Sequence, residues 1–271
     1  MTENWGFGMS SRMLRQKSNM KNIIVIAKNT FRETIRDRIL YGILGFSFVY
    51  VAITALLAKV SLNEIVILKS FGLAGIYIFG SIVTIFLGAS IIYKEIERRT
   101  LYFVLSKPVS RFDVVLGKFI GLFTAVTIVI AVMAVVYVGV IFLNGGGFDA
   151  LGLLAVFYQL LETGILIALL VFFSTIATPL TSTIVAVMVM LGGHSMGSVL
   201  RAADQIGGSF YWFMRAVYYI FPNLDKFNIR NTVVHNISVS GTEVFAVVGY
   251  AVLYIAVLLY LANYFLKRKE L

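Results

Sequence analysis

Apolar positions along the chain gather into six long runs, at residues 39–58, 71–92, 117–143, 151–176, 180–199 and 244–266, with polar segments between them. Crossing a bilayer's hydrocarbon core, about 30 Å thick, takes roughly 20 largely apolar residues in a helix. Each run meets that length, so the pattern predicts an all-α polytopic membrane protein with six transmembrane helices. The interruptions are of different kinds. Lys59, Glu64 and Lys69 mark a short linker after the first run. Asn144 to Gly147 reads as a tight glycine-rich turn, with Asp149 beyond it. Thr178 and Pro179 permit a sharp reversal before the fifth run. About 40 residues separate the fifth and sixth runs.

Periodicity also organises the segment ahead of the first run. At 100° per residue, Ile23, Ile24, Ala27, Phe31 and Ile35 share one side, and Lys28, Arg32 and Arg36 form an adjacent basic stripe. This is the pattern of an amphipathic helix lying in the membrane surface with its cations near phosphate headgroups. The simpler alternative is a basic juxtamembrane stretch that only sets topology. Residues 1–20, rich in Gly, Ser, Asn and Gln, lack the apolar core of a signal peptide and are expected as a flexible cytoplasmic tail preceding a single domain at 21–271. In the long linker, Phe210, Tyr211, Trp212, Phe213, Tyr218, Tyr219 and Phe221 fall within thirteen residues. Such rings favour the headgroup level, and as a helix the segment would rise only about 20 Å, too little for another crossing.

Composition agrees with lipid as the solvent: 59% of residues are hydrophobic and 13% charged, against about 25% charged in a typical soluble domain. The net charge of +10 would suggest nucleic acid in a soluble chain, but the cations flank the apolar runs. Seventeen of the 23 lysines and arginines precede the first run, follow the second, or follow the sixth. The positive-inside rule then puts both termini in the cytoplasm, as an even number of crossings also requires. With no cysteine and only His194 and His235, disulfides, cysteine nucleophiles and histidine-rich metal sites are excluded.

Three places carry candidate chemistry. Glu162 stands midway through the fourth run, with Gln159 almost one turn away. A carboxylate at that depth should face protein or water. It is read either as a substrate contact or ion path, or as a hydrogen bond between packed helices. Gly117 and Gly121, four apart, offer a close-packing face. The connection after the second run holds Glu95, Glu97, Arg98 and Arg99, then an apolar stretch, then Lys107, Pro108 and Arg111. A charged and apolar segment of this kind suits docking of a soluble partner, and a solvated topology-setting loop is the other reading. No glycine-rich phosphate loop or dinucleotide fingerprint is present. Any ATP hydrolysis would therefore belong to another chain.

Several segments together resemble the permease subunits of type-2 ABC exporters. They are Ala-Lys-Asn-Thr-Phe-Arg-Glu at 27–33, Glu-Ile-Glu-Arg-Arg-Thr-Leu at 95–101, Leu-Ser-Lys-Pro-Val-Ser-Arg at 105–111, and Phe-Pro-Asn-Leu-Asp-Lys-Phe-Asn at 221–228. In particular they resemble the branch that includes the membrane subunit of the nitrous-oxide-reductase maturation system. The resemblance implies a pair of permease chains with a separately encoded pair of ATPase chains, which would bind ATP and Mg. No cofactor is implied on this chain. Arg32, Glu95, Glu97, Arg98, Arg99, Lys107 and Arg111 would then form the coupling surface, and Gln159 and Glu162 the intramembrane polar site. A non-transporting membrane anchor or an ion-driven carrier are the other classes of function.

Overall fold

The computed structural model describes residues 5–59, 64–97, 109–206 and 208–268, with side chains from Met20 onward. Every regular element among them is helical. In order they are α1 (Trp5–Ile35), α2 (Arg38–Ala58), α3 (Glu64–Gly88), α4 (Tyr93–Glu97), α5 (Arg111–Leu143), α6 (Ala150–Ile176), α7 (Pro179–Ile206), α8 (Gly208–Ile220), a 3-10 turn (Leu224–Phe227), α9 (Arg230–Val234) and α10 (Gly241–Arg268). The amphipathic segment expected from residue 23 is part of α1, whose helical backbone runs back to Trp5.

Local chemistry explains where these helices start and stop. Ser110 opens α5 with a reciprocal capping box: its hydroxyl accepts from the Asp113 amide, and the Asp113 carboxylate accepts from the Ser110 amide. The expected glycine turn follows α5. Asn144 closes the helix through its amide and side chain, both donating to the Val140 carbonyl, and Gly145 and Gly147 adopt positive φ of 81° and 68°. Ala177 is extended, Thr178 accepts from the Thr181 amide at 3.4 Å, and Pro179 occupies the first position of α7, where its missing N–H costs nothing.

The central helix is α6. It packs against α3, α5, α7 and α10, and is the most enclosed of the long apolar helices. Leu166, Ile167, Ala168 and Leu170 are almost wholly buried. α2 lies on α3, and α10 lies against α6 and α5. The first turns of α5 extend beyond this bundle, since 33 residues rise about 50 Å, more than a bilayer core requires. There α1 packs along α5. A Cβ on Gly121 would stand 2.5 Å from the Ala27 carbonyl oxygen, so the two backbones touch. The predicted small-residue face is therefore real, and its partner is α1. α1 and α2 meet at a 59° bend.

Polarity runs outside-in. On α7, Leu180, Ile184, Met188 and Leu191 form an exposed apolar stripe, and Phe46, Val49, Ile53 and Leu56 form another on α2. Lys69, Asp149, Gln159, Glu162 and Asn263 are buried. In water that arrangement would be costly, whereas hydrocarbon rewards it. Five helical segments have the length and apolarity to cross a membrane by themselves, α3 running on through α4, and the bent α1–α2 pair brings the number to as many as six. The molecule is thus a multi-pass membrane protein.

Candidate functional site

Glu162 does not stand alone. Its Oε1 lies 2.9 Å from His194 Nε2, and the same nitrogen is 2.7 Å from the Tyr77 hydroxyl. The three residues come from α6, α7 and α3, each within about two positions of its helix midpoint, so an 18-to-30-residue helix places them near the centre of the bilayer. Glu162 and Gln159 share the buried inward side of α6. Gln159 donates through Nε2 to the Ile76 carbonyl at 2.9 Å, tying α6 to α3. Sequence spacing suggested Gln159 and Glu162 as a pair. Neither Tyr77 nor His194 was among the predicted site residues.

The long linker reaches this cluster. The aromatic segment is helical, as α8, with Phe210, Trp212, Phe213 and Tyr219 exposed and Arg215 stacked over Tyr211 and Trp212. Beyond it the chain turns into the bundle. Leu224, Phe227 and Val233 are almost wholly buried, in a segment packed on α7, α6 and α3. Gly193 permits the approach: a Cβ there would lie 2.6 Å from Leu224 Cγ and 2.8 Å from the Pro222 carbonyl oxygen. Asn223 secures the turn, donating its amide to Tyr250 Oη and its side-chain nitrogen to Tyr218 Oη, both at 2.9 Å. The Arg230 guanidinium then stacks on Tyr77, 4.0 Å from the ring centroid. Because Asn236 meets Lys69 on α3 and Arg230 meets Tyr77, the segment dips along about 12 Å of α3. A small recess remains, lined by Tyr77, Gln159, Glu162, Asn228 and Arg230 with apolar neighbours.

A second buried charge pair lies where α6 begins. Lys69 Nζ is 3.0 Å from Asp149 Oδ1, and Tyr137 donates to Asp149 Oδ2 at 2.6 Å. Lys69 also donates to Asn236 Oδ1 at 3.3 Å. Lys69 had been read as a linker residue. It is inside α3 instead, and the pair joins α3, α5, α6 and the segment after α9.

At the opposite end, the predicted coupling residues divide. Glu95 Oε1 lies 2.6 Å from Lys118 Nζ, and Glu33 Oε2 is 4.0 Å from the same nitrogen, with the Lys118 side chain only 6% exposed. Glu95 therefore faces inward, joining α4 to α5 and α1. Glu97 and Arg32 are exposed. Arg111 donates to the Leu266 carbonyl near the end of α10. Arg98, Arg99 and Lys107 lie outside the described residues. A polar cleft between α1 and the α3–α4 turn contains Thr30, Glu33, Asp37, Ser90, Lys94 and Glu95. Among the described residues, no group of three or more His, Cys, Asp or Glu side chains is placed to hold a metal ion.

An inside-out helical bundle with polar clusters across its core and a charged junction at one end defines a multi-pass membrane protein. The family model described as "ABC-2 family transporter protein" matches residues 24–271. The chain belongs to that family, whose members are permease subunits of ABC transporters. A search of curated proteins finds no match.

Proposed function

We propose that the chain is the permease subunit of an ATP-driven exporter, with six crossings and both termini in the cytoplasm of a bacterial or archaeal cell. It would work with a separately encoded ABC ATPase pair and a second permease copy. ATP and Mg would be held by the ATPase, and this chain would convert its motion into passage of cargo.

The observation that carries this reading is the charged junction in a chain matched over 24–271 by the transporter family. Lys118, Glu95 and Glu33 unite α1, α4 and α5, and Arg111 links the start of α5 to the end of α10. Movement imposed on α4 would reach two membrane helices through these contacts. Lys94, Arg111, Lys118, Lys267 and Arg268 gather at that same end, which supports its cytoplasmic placement. The exposed stripes of α2 and α7 suit lipid or the second copy. Membership of the nitrous-oxide-reductase maturation branch rests on the sequence resemblance of segments such as 221–228.

The test is reconstitution with a candidate ABC ATPase, sought first among the neighbouring genes. We expect co-purification in equal numbers and vectorial cargo movement that stops when the ATPase is inactivated. Stable assembly without any ATP-dependent movement would favour a membrane anchor. Movement by this chain alone under an ion gradient would favour a secondary carrier.

A further inference from the structure

We propose that the recess bounded by Glu162, Gln159, Tyr77 and Arg230 is a seat for an organic cation, a guanidinium or primary ammonium group on the cargo, and that Arg230 is a tethered cation competing for its aromatic face. The assignment to cargo rests on the permease reading above. The chemistry of the seat does not.

Three features of the recess are those that recognise a cation. Glu162 supplies a carboxylate whose side chain is 4% exposed, so its field is weakly screened. Tyr77 presents an aromatic face, which attracts a guanidinium or ammonium through its quadrupole. Gln159 and Asn228 add amide groups at the wall. An anion would meet the Glu162 carboxylate in a poorly solvated space and be repelled.

A group of this class already stands at the wall of the recess. The Arg230 guanidinium sits 4.0 Å from the Tyr77 ring centroid, so the aromatic face accepts a planar cation. Arg230 forms no ion pair among the described residues. Its Nε donates to Asn228 Oδ1, two residues away, at 2.9 Å. A cation bonded chiefly to its own segment and to an aromatic face is displaceable. It is carried on α9, a helix of five residues in a linker, not on a crossing. His194 engages Glu162 from α7 and holds the carboxylate in place. Cargo entering the seat would release Arg230 and loosen the linker segment from α3, which makes the segment a lid that responds to cargo.

The test uses the purified full chain in lipid nanodiscs, with butylguanidinium as probe and pentanoate as its anionic counterpart, followed by calorimetric titration. Arg230→Ala is expected to bind butylguanidinium about tenfold more tightly than the unmodified chain, as a competing cation–aromatic contact is removed. Adding Glu162→Gln or Tyr77→Leu should reverse that gain, and pentanoate should bind none of them. If Arg230→Ala fails to elute as a monodisperse species, Arg230→Gln replaces it with the same expectation. Equal affinity with and without Arg230, full affinity after Glu162→Gln, or binding of pentanoate would each overturn the seat. Failure here with ATP-driven transport intact sinks only the cation seat. Binding as expected without transport in the reconstituted complex sinks only the permease reading.

Discussion

Single residues at the start and the midpoint of α6 carry charge where charge is expensive. Lys69 and Asp149 are both buried and directly paired. Removing one partner of a buried pair leaves the other uncompensated, at a cost of about 3–5 kcal/mol, whereas replacing both by neutral groups of similar size is far milder. Lys69→Met should therefore lower the thermal unfolding temperature of the purified chain sharply, and adding Asp149→Asn should restore part of the loss. Additive losses would show that the pair is not coupled. Glu162→Gln keeps an oxygen facing His194 and removes the negative charge. Folded complex should be retained while ATP-driven transport falls about tenfold or more, the pattern of a residue that acts on cargo and not on assembly. Equal loss of folded complex and transport would assign Glu162 to packing. The sequence showed Glu162 through its depth in an apolar run. His194 and Tyr77 were hidden because they lie 32 and 85 positions from it, and a histidine or tyrosine in a membrane helix has many uses.

At the level of elements, α1, α4 and the first turns of α5 behave as one unit. The clearest change from the sequence reading is Glu95. Charge and position made it look like part of a docking surface beside Glu97, yet α4 turns the two in different directions: Glu95 to Lys118, and Glu97 to solvent. Their substitutions should separate accordingly. Glu95→Gln weakens the junction with the buried Lys118 and should destabilise the permease alone by about 1–3 kcal/mol, measured by denaturation without any ATPase. Glu97→Lys should leave that stability unchanged and reduce capture of the ATPase in pull-downs. The reverse pattern would undo both assignments. Gly121→Val would place a branched side chain against the Ala27 carbonyl. We expect it to separate α1 from α5, seen as faster proteolysis within α1, with an overpacking cost of about 1–3 kcal/mol.

For the whole molecule, the arrangement of ends can be tested cleanly because the chain has no cysteine. In sealed cells, Phe148→Cys should react with a membrane-impermeant maleimide, and Thr181→Cys and Arg36→Cys should react only after permeabilisation. Labelling of all three from outside would refute the proposed orientation. The inside-out distribution of polarity, with exposed leucine and isoleucine stripes around buried Glu162, Lys69 and Asp149, is the global property that any such topology must respect.

The sequence by itself determined the spans of the long helices to within a few residues at most boundaries. Hydrocarbon imposes one length on every crossing and tolerates little besides a helix. It also marked the turns at Gly145–Gly147 and Thr178–Pro179, where backbone chemistry is local. The tertiary structure alone decided what meets what: His194 and Tyr77 with Glu162, Lys69 with Asp149, Glu95 with Lys118, and the linker folded down to put Arg230 over Tyr77. The physical reason is that hydrophobicity is a property of a segment and can be summed along the chain. A hydrogen bond or ion pair depends on two groups arriving within about 3 Å of each other, and that is fixed only when distant helices pack.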